Sequence, residues 1–156
     1  MGHRQQAGVA VIEFTILLPF LLLLVFATAE LGRALYQYSH LTRMVRDAGR
    51  YLSTTAIVDT TEILPNPFND ANCGNCISNT KDLLVYGKLG GSIPLLYGLD
   101  TSDVTITGDS VTDRVIITVD YDWMPLLGEQ ISGFGLGNDS NLSFNFHVSY
   151  AMRAGL

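Results

Sequence analysis

Charged side chains are scarce in this chain of 156 residues, and basic ones almost disappear after Arg50. Asp, Glu, Lys and Arg together make up 15% of the residues, and the formal net charge is −6. From Ile57 onward, twelve acidic residues stand against four basic ones, Lys81, Lys88, Arg114 and Arg153. Because nucleic-acid phosphates are bound by a basic surface, this balance argues against nucleic acid as a partner.

Recognisable catalytic patterns are also lacking. The sequence has no phosphate-binding loop, no HExxH pattern and no reliable Ser/His/Asp spacing, so we expect neither an enzyme nor a cofactor. The glycine-rich run 133–137 does not open a helix after a strand, and it is therefore interpreted as a flexible loop. Asp120 and Asp122 share one strand face where a cation could bind, but further oxygen ligands cannot be placed, which favours a solvated face and no metal.

Cysteine occurs only twice, as Cys73 and Cys76, in an Asn/Pro/Thr-rich connection over residues 54–80. In an oxidising compartment a disulfide between them is the natural outcome, although so small a loop gives only local stabilisation. A redox-active pair usually sits where a strand leads into a helix, which this loop does not resemble. Half a zinc site is a third interpretation, but no second pair of ligands lies nearby in the sequence.

Residues 8–29, in contrast, are almost entirely apolar. A helix from Val9 to Ala29 would be about 30 Å long, which matches the hydrocarbon thickness of a bilayer and predicts a membrane span. Glu13 is the single charged residue in it. A carboxylate in lipid costs a few kcal/mol, so Glu13 is interpreted as functional. Pro19, in the middle of the span, predicts a helix kink.

The helical pattern continues beyond the span to about residue 53. An apolar stripe recurs at spacings of three and four, and is formed by Leu31, Ala34, Leu35, Tyr38, Leu41, Thr42, Val45, Gly49 and Leu52. It is interpreted as the core face of the following domain, with packing against neighbouring subunits as the alternative. Arg43, Arg46 and Arg50 lie beside it and predict a solvated face.

Alternating apolar residues predict three to four antiparallel strands later in the chain. The clearest is 114–124, with Val115, Ile117, Val119, Tyr121 and Trp123 on one face. The others are a first strand within 100–111, ending in a turn at 108–110, and a last strand at 142–152 with Leu142 and Phe144 among its inward residues. Residues 80–91 predict a short helix or strand. Together these segments predict an α+β fold in which the long helix packs on a small sheet.

Two processing sites compete at the N-terminus. Ala27-Thr28-Ala29 resembles a signal-peptidase site, but the apolar run before it is too long, and the helical pattern continues through it. The alternative is cleavage near Gly8, which would make Val9 the first residue and Glu13 the fifth. The new amine would then lie one helical turn from Glu13, or would pair with the Glu13 of an adjacent subunit.

The run Gly8-Val-Ala-Val-Ile-Glu13-Phe14, the apolar helix with Pro19, Glu30-Leu-Gly-Arg33 and Arg46-Asp-Ala-Gly-Arg50 resemble the TadE/TadF family of pilin-like proteins. The resemblance covers about residues 4–53. It implies a pilin-like fold, prepilin-peptidase cleavage between Gly8 and Val9, and Glu13 as the position-five glutamate used in assembly. It also implies a minor pilin or pseudopilin of the Tad (Flp) branch of type IV pili.

These observations predict a leader at 1–8, a transmembrane helix at 9–29, its amphipathic continuation at 30–53 and a periplasmic domain at 54–156. The expected partners are membrane lipid, a prepilin peptidase, and other pilin subunits with their assembly machinery. The weak positive bias of the short leader predicts that the N-terminus lies in the cytoplasm. The resemblance implies that the membrane is a bacterial inner membrane. The alternative function is a single-pass anchored adhesin or ligand-binding protein that never enters a pilus.

Overall fold

A computed structural model describes residues 3–57, 63–126, 128, 130–131, 140–141 and 143–155, with the backbone alone at 3–7, 130–131 and 140. The chain divides into two compact units, Met1–Tyr36 and Gln37–Leu156. The elements are α1 (His3–Thr55), α2 (Cys76–Tyr86), a 3-10 turn (Thr101–Asp103), β1 (Val104–Asp109), β2 (Arg114–Trp123), β3 (Gln130–Ile131), β4 (Ser140–Asn141) and β5 (Phe144–Arg153). The long helix and the small antiparallel sheet confirm the predicted α+β fold.

The first unit consists of the apolar half of α1. Every described side chain from Val9 to Ala29 is exposed, which is the arrangement expected of a helix whose solvent is lipid. By length and composition α1 can cross a membrane, and it is the one such helix in the described part of the chain.

The helix α1 ends at a run of hydroxyl residues. Ser53 donates to the carbonyl of Arg50 at 2.9 Å, and Thr54 and Thr55 each donate to that of Tyr51 at 2.9 Å. These hydroxyls bond back to carbonyls of the preceding turn, whereas the carbonyl of Ser53, which lacks an intrahelical donor, accepts from the N–H of Gly155 at 3.0 Å.

In the second unit, the apolar stripe of α1 forms part of the core. Leu41, Val45 and Leu52 are fully buried, as the core interpretation predicts. The prediction is wrong at Leu31 and Leu35, each 61% exposed, and at Tyr38, which is 43% exposed. It also omits Met44 and Ala48, which are buried. Ala34 is 3% exposed and Gly49 is also buried, so the predicted stripe is confirmed at these positions too.

The main sheet has the strand order β1-β2-β5, and all of its pairs are antiparallel. On β2 the burial alternates as predicted: Val115, Ile117, Val119, Tyr121 and Trp123 are buried, and their neighbours are mostly exposed. On β5, Phe146 and Val148 are buried, whereas Phe144 is 44% exposed. Phe144 is therefore an exception among the predicted inward residues, because it lies at the open end of the sheet. The predicted inward residue Leu142 lies outside the described residues.

Helix α2 begins at Cys76, which lies inside the segment 54–80 that the sequence predicts to be a loop. Within the segment 80–91, residues 80–86 are helix rather than strand. Helix α2 ends at Gly87, which has φ 70° and donates its N–H to the carbonyl of Leu83 at 3.0 Å. This left-handed conformation suits glycine.

The turn between β1 and β2 lies later than predicted. Gly108 and Asp109 still pair with β2, and residues 110–113 make the turn. The Asp109 carboxylate accepts from the Thr112 hydroxyl at 2.8 Å and from the Val111 N–H at 2.9 Å. These hydrogen bonds, led by that of Thr112, lower the pKa of Asp109 below its ordinary value of 3.8. The ionised carboxylate therefore organises the turn.

A second, two-stranded sheet pairs β3 with β4, within the region 126–141 predicted to be a loop. Sequence alternation over two residues is too short to predict a strand, which explains this miss. The glycine-rich run 133–137 lies outside the described residues.

Candidate functional site

The residues with the clearest predicted roles, Gly8, Val9, Glu13 and Phe14, all lie on α1 in the first unit. Val9 and Phe14 are 66% and 57% exposed, and Glu13 is exposed as well. A Cβ atom added to Gly8 would meet no atom within 4 Å. The Gly8–Val9 peptide bond is therefore not shielded by the described part of the chain.

Glu13 differs from the other polar side chains of this unit in its hydrogen bonding. Thr15 and Thr28 donate to the carbonyls of Val11 and Val25 at 2.8 Å each, so the helix itself satisfies them. Glu30 accepts from the Arg33 guanidinium at 3.0 Å. Among the residues whose side chains are described, the Glu13 carboxylate has no hydrogen-bond or ion-pair partner. In lipid such a group needs a partner that the described side chains do not supply.

The spacing of Val9 and Glu13 sets where such a partner can stand. Four residues along a helix correspond to about 6 Å and bring the two positions to the same face. A positive group near the backbone nitrogen of Val9 would lie beside the carboxylate. This arrangement can hold one ion pair, within one helix or between two neighbouring helices.

Pro19 lies within α1, and the helix runs on beyond it to Thr55. Because proline has no N–H, the carbonyl of Thr15 loses its usual helical donor. The predicted kink at Pro19 stays a prediction.

Cys73 and Cys76 form a disulfide. Cys73 lies three residues before α2, and Cys76 is the first residue of that helix. The two residues are 2% and 1% exposed. Thiol–disulfide exchange needs an accessible sulfur, so this burial is that of a structural bond. With Asp70 they make up the one group of three metal-type side chains within 4.8 Å in the described chain. The two sulfurs are bonded to each other, so they do not offer thiolates to a metal.

Asp70 has a structural role that no local sequence pattern indicates. Its carboxylate accepts from the N–H groups of Ile77 at 2.8 Å and Ser78 at 3.0 Å, which are free donors in the first turn of α2. The residue in the N-cap position, Asn75, makes no side-chain cap of its own. Sequence rules find caps next to a helix start, and Asp70 lies six residues before it.

We expect Asp70→Ala to lower the free energy of unfolding by about 1 kcal/mol, because two N–H groups lose their acceptor. Urea unfolding of the full chain in detergent, followed by Trp123 fluorescence, measures it. Asp70→Asn is the matched variant and should recover part of the loss, since its amide oxygen still accepts. Equal stability of all three chains, with the disulfide intact by mass, would contradict a capping role.

Asp120 and Asp122 do not belong to a group of three closely spaced metal-type side chains in the described chain. Asp120 pairs instead with His147 on β5, 2.6 Å away from its Oδ1 to Nδ1, in the register of the two strands. Both side chains are more than half exposed, so this is a solvated cross-strand pair of small energetic weight.

Comparison with known families bears directly on the segment that carries Gly8 and Glu13. Residues 8–50 match the model of the family described as TadE-like protein. The chain carries a TadE-like segment. This match confirms the resemblance seen in the sequence, and it includes Pro19 as well as the arginine-rich half of α1. No curated protein and no solved structure matches the chain significantly.

The TadE-like segment and the candidate membrane helix occupy the same part of the chain. Together they support a protein that is associated with the Tad pilus and anchored to a membrane by one helix. The TadE-like segment ends at Arg50, five residues before α1 does, so most of the second unit lies outside the match.

Proposed function

We propose that this protein is a minor pilin or pseudopilin of the Tad (Flp) pilus, made as a precursor and cleaved between Gly8 and Val9. The observation that carries this proposal is Glu13: an exposed carboxylate without a described partner, on an apolar helix, five residues after Gly8 in a TadE-like segment. A cation that meets this carboxylate in the membrane would offset the cost of placing it there.

Cleavage creates that cation. The amide nitrogen of Val9 becomes a protonated amine, and it lies about one helical turn from Glu13. In the membrane-anchored subunit the amine and the carboxylate of one chain offset each other. During assembly the Glu13 of an incoming subunit pairs with the Val9 amine of its neighbour, which selects the axial position of each new helix.

The rest of the chain serves this role without catalysis. The N-terminus stays in the cytoplasm, where the prepilin peptidase acts, and the second unit lies in the periplasm. There it joins other pilin subunits and the assembly machinery, as a priming or tip subunit that contributes to surface attachment. The disulfide between Cys73 and Cys76 suits an oxidising compartment of this kind.

Mass spectrometry of the purified chain tests the processing step. We expect a mature chain that begins at Val9 when a prepilin peptidase is co-expressed, and an intact leader when it is absent. Gly8→Phe should block cleavage even with the peptidase present, whereas Gly32→Phe, on the same helix, should leave it unaffected.

A mature chain that begins at Glu30 would overturn the proposal, because signal-peptidase cleavage after Ala29 removes the membrane helix. A chain that keeps its leader and still supports attachment would indicate a single-pass anchored adhesin instead.

A further inference from the structure

Exposed apolar side chains collect at one end of the main sheet, where β2 ends and β5 begins. We call these residues the sheet-end patch: Tyr38, Tyr97, Met124, Leu126 and Phe144. They are 43%, 82%, 49%, 78% and 44% exposed, respectively. All of them belong to the second unit. Large apolar side chains grouped in this way mark a surface that contacts something other than water.

Ring contacts join the sheet-end patch to the core. Phe144 stacks on Trp123 at 4.7 Å between ring centroids and meets Phe146 edge-on at 5.2 Å. Phe146 in turn lies 5.4 Å from the ring of Tyr38 on α1. These contacts bring the end of the sheet and the beginning of the second unit's helix to the same side of the unit.

Tyr97 is held at the same end by a hydrogen bond to its backbone. The hydroxyl of Tyr121 donates to the Tyr97 carbonyl at 2.8 Å, and the Tyr121 ring lies 6.0 Å from that of Phe146. The exposed ring of Tyr97 is therefore presented from a fixed backbone, so contact through it orders little additional chain.

The position of Tyr38 in the chain indicates what covers this surface. It is the second residue of the second unit, and the candidate membrane helix precedes it directly. Tyr38 lies nine residues beyond Ala29, which is about 13 Å along a helix, so it stands close to the outer edge of the headgroup region. Leu31, Leu35 and Tyr36 are 61%, 61% and 67% exposed, so an apolar surface continues beyond Ala29.

The chemistry of the patch fits the lipid–water boundary. Tyrosine is enriched there, because its ring is apolar and its hydroxyl is polar. The patch contains no Lys or Arg, and the neighbouring charged residue on β2, Asp122, is acidic. Attraction to anionic headgroups therefore does not drive the contact, which is apolar.

We propose that the sheet-end patch rests in the headgroup region of the bilayer, as a second membrane contact besides the transmembrane helix. This proposal depends on the membrane anchoring that forms part of the proposed function, and on neither cleavage nor pilus assembly. This contact holds the folded second unit against the membrane surface while the subunit is still anchored in the bilayer.

Trp123 is the only tryptophan, and it stacks on Phe144, so it reports the depth of the patch. The full chain is placed in nanodiscs of phosphatidylcholine and phosphatidylethanolamine that carry nitroxide-labelled lipid, with the label near the headgroup or deep in the acyl chain. We expect the shallow label to quench Trp123 emission at least ~2-fold more than the deep label does, and to do so equally at high salt.

A tryptophan at the other end of the sheet is the matched control. Val111 is 90% exposed in the turn between β1 and β2, and β2 separates it from Trp123 by about 30 Å. In the double variant Trp123→Phe/Val111→Trp, the shallow label should no longer quench the tryptophan emission. If circular dichroism shows that this variant does not fold, Val111→Trp is made in the chain that keeps Trp123. The emission of Trp123 alone is then subtracted to give the quenching at position 111.

Variants of the patch complete the test. Met124→Ser with Leu126→Ser should reduce quenching of Trp123 at least ~2-fold, whereas Val111→Ser should leave it unchanged. Equal quenching at positions 123 and 111, or no quenching at either, would overturn the proposal. The sheet-end patch would then be covered by a protein partner instead of the bilayer. Resistance to alkaline extraction, measured in parallel, reports membrane anchoring separately.

Discussion

Chains with Glu13→Leu are expected to support at least ~10-fold fewer assembled pili, although they are still cleaved between Gly8 and Val9. An ion pair worth about 1.4 kcal/mol changes the ratio of paired to unpaired subunits tenfold. The proposed ion pair with the Val9 amine of a neighbouring subunit would be lost. Piliated cells counted by electron microscopy, together with the N-terminal mass of the membrane-bound chain, measure both effects.

The direction of this result separates assembly from membrane insertion. Removing a carboxylate from the hydrocarbon region makes insertion more favourable by about 3 kcal/mol, so a Glu13→Leu chain should be anchored at least as well as the natural one. Any loss of pili therefore cannot come from weaker anchoring. Normal piliation by this variant would refute the assembly role of Glu13 and favour the anchored adhesin.

Thr15→Leu provides the matched control for Glu13→Leu. Thr15 is two residues away on the same exposed helix, but its hydroxyl donates to the Val11 carbonyl and requires no external partner. We expect this variant to be cleaved and to support normal numbers of pili.

Gly49→Leu is expected to lower the free energy of unfolding of the second unit by about 3 kcal/mol. Gly49 is buried where α1 passes under β5. A Cβ there would stand 2.8 Å from Cε1 of Tyr150 and 2.9 Å from Cε of Met152, closer than carbon atoms can approach. The added side chain would force β5 away from the helix and leave gaps beside it.

Gly32→Leu on the same helix is the control for Gly49→Leu. A Cβ on Gly32 would meet no atom within 4 Å, and leucine has a better helix propensity than glycine. We expect its urea unfolding midpoint, followed by Trp123 fluorescence, to be unchanged or slightly raised. Equal midpoints for the two variants would show that α1 and β5 are not closely packed at Gly49.

The elements themselves could be predicted because their periodicity is local. The period of two along β2 places Val115 and Ile117 on one face whatever lies opposite, and burial follows that pattern. The length of the apolar run and the Gly8–Glu13 spacing are likewise properties of neighbouring residues. For the same reason the TadE-like pattern can be recognised from the order of the residues alone.

The sequence predictions are wrong where contacts with distant segments determine burial or the start of a helix. The stripe on α1 looks continuous from Leu31 to Leu52, yet Leu31, Leu35 and Tyr38 are exposed. Burial depends on which residues other segments reach, and the spacing along one helix does not encode that. Likewise α2 begins inside a predicted loop, because Asp70 supplies from six residues away the acceptors that its first turn needs.

The amino-acid sequence by itself determined the membrane helix, the candidate processing site, the lone carboxylate and the strands, since each depends on spacing within a few residues. Tertiary structure alone decided that Gly49 must be small, that Asp70 caps α2 and that five exposed apolar side chains lie toward one end of the sheet. Those residues are far apart in the chain. Their proximity is a consequence of strand register and close packing, which no local pattern encodes.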